Sequence, residues 1–207
     1  LKIINYTRNN MRVLSEKKRI FMLIDLNNSA AIVRDLGNIH YSYFMQDFFN
    51  DIEKITEKHN GTIFDNHGDH AFIVWELHNE INYESLDCYF AIRDHLELRR
   101  AYYFTNYNTT PSIKTSIHIG DSVKCRESNK TAHECYLGVA VNVTARILCL
   151  SPTTRKEILV SEDIQRLFAH DNQYKFIYQG SYQLKELKDQ LKIYSVEKNS
   201  YRTRKVV

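Results

Sequence analysis

Residues 61–75 read Gly61-Thr-Ile-Phe-Asp-Asn-His-Gly68-Asp69-His-Ala-Phe-Ile-Val-Trp75. Two β-prone runs, Thr62–Asp65 and Ala71–Trp75, flank Asn66-His67-Gly68-Asp69, which predicts a hairpin with glycine in its turn. Upstream, Arg19-Ile-Phe-Met-Leu-Ile-Asp25 is an apolar run ending in a lone acid, the pattern of a buried strand. Between them Ile39, Tyr43, Phe44, Phe48, Ile52 and Ile55 recur at helical spacing. That predicts an amphipathic helix closed by His59-Asn60-Gly61, with Gly61 at the left-handed position after the cap.

Downstream, residues 82–105 read as helix, and Ser112 to Gly120 as a strand alternating through Ile113, Thr115, Ile117 and Ile119. Val139 to Leu150 is apolar at helical spacing, and Glu157–Val160 is a short strand. Ser161 is placed to cap a helix that opens with Glu162 and Asp163, acids favoured in a first turn. Phe176–Leu184 and Leu191–Val196 form a closing hairpin. The order β-α-β-β-α-β, then α-β-α-β-β, predicts an α+β fold with a ferredoxin-like βαββαβ core and additional C-terminal α/β elements. The expected division is an N-terminal extension over 1–18, a folded domain over 19–197 and a basic tail over 198–207.

The 207 residues suit one large domain. They are 43% hydrophobic and 26% charged, close to ordinary globular values, so disorder is excluded as the main state. Gly (6) and Pro (2) are scarce against roughly 14 and 10 at average usage, which disfavours collagenous, Pro-rich and turn-dense β-sandwich chains. No apolar run approaches the ~18 residues of a membrane span, and the segment before Arg19 lacks the apolar core of a signal peptide. A net charge of +3 is too small to argue for nucleic acid. Its local excess, Tyr201-Arg202-Thr203-Arg204-Lys205, reads as a solvated tail. Cys88, Cys125, Cys135 and Cys149 form no C-x-x-C pair, so a reducing, cytoplasmic compartment is expected. Zinc on Cys125, His133 and Cys135 lacks a fourth ligand at suitable spacing.

Chemistry enters with two acids at strand ends. A strand-helix-strand passage from Asp25 to Asp69 can return the second acid beside the first. Two adjacent carboxylates suit one or two Mg²⁺ ions, which prefer oxygen ligands; the bland alternative is two unrelated surface acids. Farther on, Asn142 and Arg146 lie four apart in an apolar helix and so share a face. There they either cap structural carbonyls or meet an anionic ligand, to which an arginine's planar fork is suited.

These segments, in this order, resemble the catalytic domain of the class III adenylate/guanylate cyclases. Phe21-Met-Leu-Ile-Asp25-Leu26 resembles the first metal-binding strand, and Gly61–Asp69 the hairpin bearing the second metal aspartate. Ile117-His118-Ile119-Gly120 resembles the family's "GIHxG" strand. Gly138-Val-Ala-Val-Asn142-Val-Thr-Ala-Arg146 resembles its "G-x-x-V-N-x-A-x-R" helix. The resemblance covers about residues 19–197.

It implies that Asp25, Asp69 and the backbone carbonyl of Leu26 hold two divalent cations, Mg²⁺ or Mn²⁺. It implies that Asn142 positions the ribose, that Arg146 neutralises the α-phosphate in the transition state, and that Lys185 binds the triphosphate, with Lys188 as a competing choice. A homodimer is implied, its two sites shared between subunits; the charge and the apolar runs give no part to nucleic acid or membrane.

Several positions depart from the family. Asn28-Ser29-Ala30 stands where Gly-Phe-Thr or Gly-Phe-Ser is usual. Asp121 stands where some relatives carry Arg, with Lys124 as a possible substitute. At the base-reading positions adenylate cyclases usually carry Lys and Asp, and guanylate cyclases Glu and Cys; this chain has Asp65 and Cys135. Adenine offers an acceptor at N1, which a carboxylate does not complement, whereas guanine and the pyrimidines present donors. The expected base is therefore guanine or a pyrimidine. The bacterial pyrimidine cyclases of anti-phage signalling, also small and nearly bare cyclase domains, are one branch it resembles. The alternatives are a catalytically silent cyclase-homology module that dimerises or binds nucleotide, and, more remotely, a palm polymerase. His67 and His70, which flank the Asp69 turn, are expected in solvent rather than on metal.

Overall fold

The computed structural model describes residues 11–77, 84–127, 134–185 and 187–199. The tail Tyr201–Lys205, His133, and the first residues of the helix expected from 82 lie outside the described residues.

The strand predicted at 19–25 sets the architecture. It is β1, Met11–Leu26, and its side chains alternate between the two faces of a sheet. Ile20, Met22, Ile24 and Leu26 enter one core, and Phe21 and Leu23 enter two smaller clusters on the opposite face. Each apolar side chain of this size contributes about 1.5–3 kcal/mol when fully buried.

The remaining elements, in chain order, are α1 (Ser29–Lys58), β2 (Thr62–Asp65), β3 (His70–Glu76), α2 (Glu84–Leu98), α3 (Arg100–Tyr107), β4 (Ile113–Glu127) and β5 (Glu134–Leu137). They are followed by α4 (Val139–Leu148), α5 (Ser151–Thr154), β6 (Ile158–Ser161), α6 (Glu162–Leu167), β7 (Tyr174–Tyr182) and β8 (Leu191–Lys198). The sheet runs β2-β3-β1-β4-β6-β8-β7, with β5 paired to β4. Its first four strands carry the expected split βαββαβ order, and β6, β8 and β7 extend it past β4.

Phe44, Phe48 and Ile52 of α1, with Phe90, Ile92 and Leu96 of α2, pack on the first face. Asp51 of α1 is buried and fastens the helical layer, with Arg99 Nε at 2.8 Å and the Tyr103 hydroxyl at 2.8 Å. Helix α4 covers the other face. Gly120 of β4 permits that contact, since a Cβ there would stand 2.9 Å from Cβ of Ala140.

Six details differ from the sequence expectation. Strand β1 begins at Met11, so residues 11–18 are its first half, paired with the far end of β4. The helix expected over 82–105 is broken into α2 and α3 around Arg99. The left-handed position after α1 belongs to Asn60 (φ 53); Gly61 is needed for space, because a Cβ would lie 2.8 Å from the Trp75 ring. Ser161 does precede α6, but its hydroxyl makes no cap and bonds His118 Nδ1 at 2.9 Å. Strand β5 was not anticipated. Gly37 (φ 73) interrupts α1 just before the pattern that starts at Ile39. Among the described residues no helix is long and apolar enough to cross a membrane.

Candidate active site

Alternation along β1 puts Asp25 on the face of Phe21 and Leu23, at the strand's end. The β2–β3 turn, with Gly68 at φ 63, brings Asp69 to the same end: the Leu26 amide donates to the Asp69 carbonyl at 2.9 Å. The two acids are thus neighbours, as their sequence positions suggested. Asp25 lies opposite His70 of β3 and Lys114 of β4, and Lys114 Nζ is 3.2 Å from its Oδ1. Burial raises the Asp25 carboxyl above its ordinary value. The Lys114 bond and charge and the His70 charge oppose this, and the Asp69 charge adds to it.

Three further side chains attend the pair. Lys114 is one. Ser29, where the family carries an aromatic residue, donates its hydroxyl to Asp69 Oδ2. Tyr41 of α1, its ring stacked on Phe44 at 6.3 Å, has a phenol raised first by burial and then by the charges of Asp69 and Asp25. The only sequence signal for Lys114 is its place out of phase with Ile113, Thr115 and Ile117 on an alternating strand.

The donors gathered here are oxygens. Among the described residues no group of three or more His, Cys, Asp or Glu forms a self-sufficient metal cage. Two carboxylates and a backbone carbonyl fit Mg²⁺ or Mn²⁺, which retain waters and take substrate phosphate oxygens as further ligands.

The second set is organised by α4. Asn142 is exposed and Arg146 half-buried. Val143 and Ile147, on the buried side of the helix, pack with Leu184, which seats the segment after β7 against α4 and sets exposed Lys185 beside it. Lys188 instead lines a cavity of about 660 Å³ with Gly138, Val139 and His118.

The proposed base readers form a third set. Phe64 and Tyr136 meet with ring centroids 4.9 Å apart, which joins the ends of β2 and β5 and carries Asp65 and Cys135 with them. His67 bonds Asp65 Oδ1, and His70 Nε2 stands 3.9 Å from Oδ2. His67 is exposed, as expected, whereas His70 is half-buried. Lys124, the candidate substitute for an arginine at 121, is held in an ion pair. Its Nζ is 2.7 Å from Glu134 Oε2 and lies over the Tyr136 ring.

The family model for the adenylate and guanylate cyclase catalytic domain matches residues 15–198, and the chain belongs to that family. Adenylate cyclase 2 of Rhizobium meliloti is 26% identical over 153 residues, 73% of this chain and 42% of that protein; the chain therefore spans less than half the length of this relative. The adenylyl cyclase CyaB from P. aeruginosa superposes with a TM-score of 0.79 at 19% identity, covering 91% of this chain and 97% of that one. The guanylate cyclase domain of RhGC from Catenaria anguillulae, in complex with GTP, gives 0.74 at 12% identity, covering 89% and 99%. These two share the fold.

Proposed function

We propose that the domain, taken as residues 19–197 together with the part of β1 that precedes Arg19 and the last residue of β8, converts a nucleoside triphosphate to its 3′,5′-cyclic nucleotide and pyrophosphate. The ribose 3′-oxygen attacks the α-phosphorus in line and pyrophosphate leaves. Asp25, Asp69 and the Leu26 carbonyl would hold two divalent cations, which when bound lower the pKa of the 3′-hydroxyl and offset charge on the phosphates. Asn142 orients the ribose, Arg146 meets charge developing on the α-phosphate, and Lys185 binds the triphosphate. The site is shared in a homodimer: metal acids from one protomer, Asn142, Arg146, Lys185 and the base readers from its partner. A cytoplasmic setting accords with four free cysteines.

The base is guanine or a pyrimidine. What supports this is Asp65, a carboxylate where adenine's N1 needs a donor, on a strand whose end the Phe64–Tyr136 contact holds near that of β5 and Cys135. Asp is shorter than the Glu of guanylate cyclases, which favours a pyrimidine amino or N3–H donor. A cyclic pyrimidine would then serve as an antiviral signal.

The test is turnover of each nucleoside triphosphate with Mn²⁺, read as cyclic nucleotide and pyrophosphate. Product from GTP, CTP or UTP with ATP poorest supports the reading, and strong preference for ATP overturns the base assignment. No product from any triphosphate leaves a silent cyclase-homology module. If CTP or UTP is the substrate, Asp69→Asn should abolish phage resistance conferred by the native chain.

A further inference from the structure

Cys125 of β4 and Cys135 of β5 are direct partners in the antiparallel ladder. Residues directly opposite in such a ladder have Cα atoms about 4.5 or 5.5 Å apart, both within the roughly 4.4–6.8 Å spanned by disulfides. The pair is asymmetric. Cys125 is 3% exposed, whereas Cys135 is partly open to solvent. Both are free thiols.

We propose that Cys125 and Cys135 form a peroxide-responsive modification site that closes to a cross-strand disulfide. The accessible Cys135 sulfur takes one oxygen from H₂O₂, giving Cys135 sulfenic acid and water. The Cys125 thiol then attacks that sulfur, a second water leaves, and the S–S bond forms. Two thiols lose two electrons and two protons in all, and one peroxide is reduced to two waters. Burial raises the Cys125 thiol, and its neighbour Cys135 adds to the shift; this fits Cys125 as the resolving partner rather than the first to react. Cys88 is buried on α2, where its weak contact is with Thr56, and Cys149 is exposed after α4, so neither sits opposite another cysteine in the sheet.

The consequence rests on the proposed function. Cys135 is a base-reading position, and in the disulfide it has no S–H to present. Oxidation then silences the site through one of its own specificity residues, and thiol reductants restore it.

The test begins with the reduced full chain, exposed to H₂O₂ or buffer, quenched with N-ethylmaleimide, digested and mapped by mass spectrometry. Expected is a peptide pair joining Cys125 to Cys135, with both lost to alkylation, and return of both on dithiothreitol. Cys135 sulfinic acid beside an alkylatable Cys125, or a link to Cys149, overturns the proposal; the wild-type map alone decides it. Turnover is then followed in wild type and in Cys125→Ser or Cys125→Ala. Peroxide should silence both, but dithiothreitol should restore turnover fully in wild type only, because without its resolving partner Cys135 oxidises on to the irreversible sulfinic acid. A disulfide that forms without loss of turnover leaves the modification site standing and overturns the role of Cys135 in base reading.

Discussion

Lys114 Nζ stands 3.2 Å from Asp25 Oδ1, across the β1–β4 ladder. A strand position that looks like ordinary polar alternation therefore places a cation on an acid of the proposed metal pair. Even with Lys114 there, burial and Asp69 keep the Asp25 carboxyl raised. A raised carboxyl favours the protonated fold. Its contribution to stability is present below the unfolded pKa and is lost as pH rises through the folded one. At neutral pH the ionised Asp25 is a net cost to the metal-free fold.

Asp25→Asn and Asp69→Asn should each remove nearly all turnover, because each deletes a charged metal ligand. Asp25→Asn should also melt no lower than wild type without metal at neutral pH, the relief of the buried charge offsetting the stranded Lys114. Calorimetry with and without Mn²⁺ checks this: wild type should gain melting temperature with the ion and the variants should not. Activity within a few-fold of wild type in either variant removes the metal assignment.

Lys114→Met tests the ion pair itself. Removing the cation beside Asp25 should tighten Mn²⁺ binding in the absence of nucleotide, measured by titration calorimetry, since like charges repel. Weaker binding would mean that Lys114 chiefly positions the carboxylate.

His118, from the "GIHxG" strand, predicts a pH response of the fold. Burial holds its imidazole down at about 4, with Lys18 pushing the same way and Asp163 opposing. Between pH 6.5 and about 4 the unfolded chain takes a proton that the folded chain refuses, so stability falls as pH falls through that window. At about 1.4 kcal/mol per pH unit the full loss is on the order of 3 kcal/mol. Urea unfolding at pH 7 and pH 5 should show much of it, and His118→Gln should flatten the difference. An unchanged slope in that variant would assign the pH response to other groups.

The placing of the two carboxylates side by side was legible because both halves are local patterns: an apolar run stopped by an acid, and a Gly turn before Asp69. The rest depends on partners distant in sequence. Residues 11–18 are mostly polar, with Val13 and Leu14 exposed, and become strand because β4 continues opposite them. Strand β5 has four residues and no apolar alternation of its own. Ser161 carries the chemistry of a cap, yet its hydroxyl is claimed by His118 from a parallel neighbour. Asn60 and Gly61 exchange the expected roles because the Trp75 ring, invisible locally, fills the space at 61. Lys114 and Ser29 reach the acids across the sheet and from the start of a helix, and no motif marks either.

Base choice is tested by exchange. Asp65→Lys with Cys135→Asp presents adenine with a donor at N1 and an acceptor for its amino group, so ATP use should rise relative to the other triphosphates. Side-by-side kcat/KM values decide. An unchanged ratio in a folded, active variant would show that the ends of β2 and β5 do not contact the base.

The shared site makes a prediction that one protomer alone cannot satisfy. Asp25→Asn and Arg146→Ala should each be inactive alone, since they damage opposite halves of one site. Mixed and allowed to exchange subunits, they form heterodimers in which one site collects both lesions and the other none. With random pairing half the dimers are mixed, and each carries one intact site of two. Recovered activity should approach roughly a quarter of wild type for independent sites in a symmetric closed dimer. Differently tagged chains confirm that exchange has taken place. If tagged heterodimers form and no activity returns, Asp25 and Arg146 act within one protomer or the two sites are coupled. A tandem-linked chain carrying both lesions on one copy separates these outcomes: with shared sites both of its sites stay damaged, whereas with sites inside single protomers the undamaged copy keeps its activity.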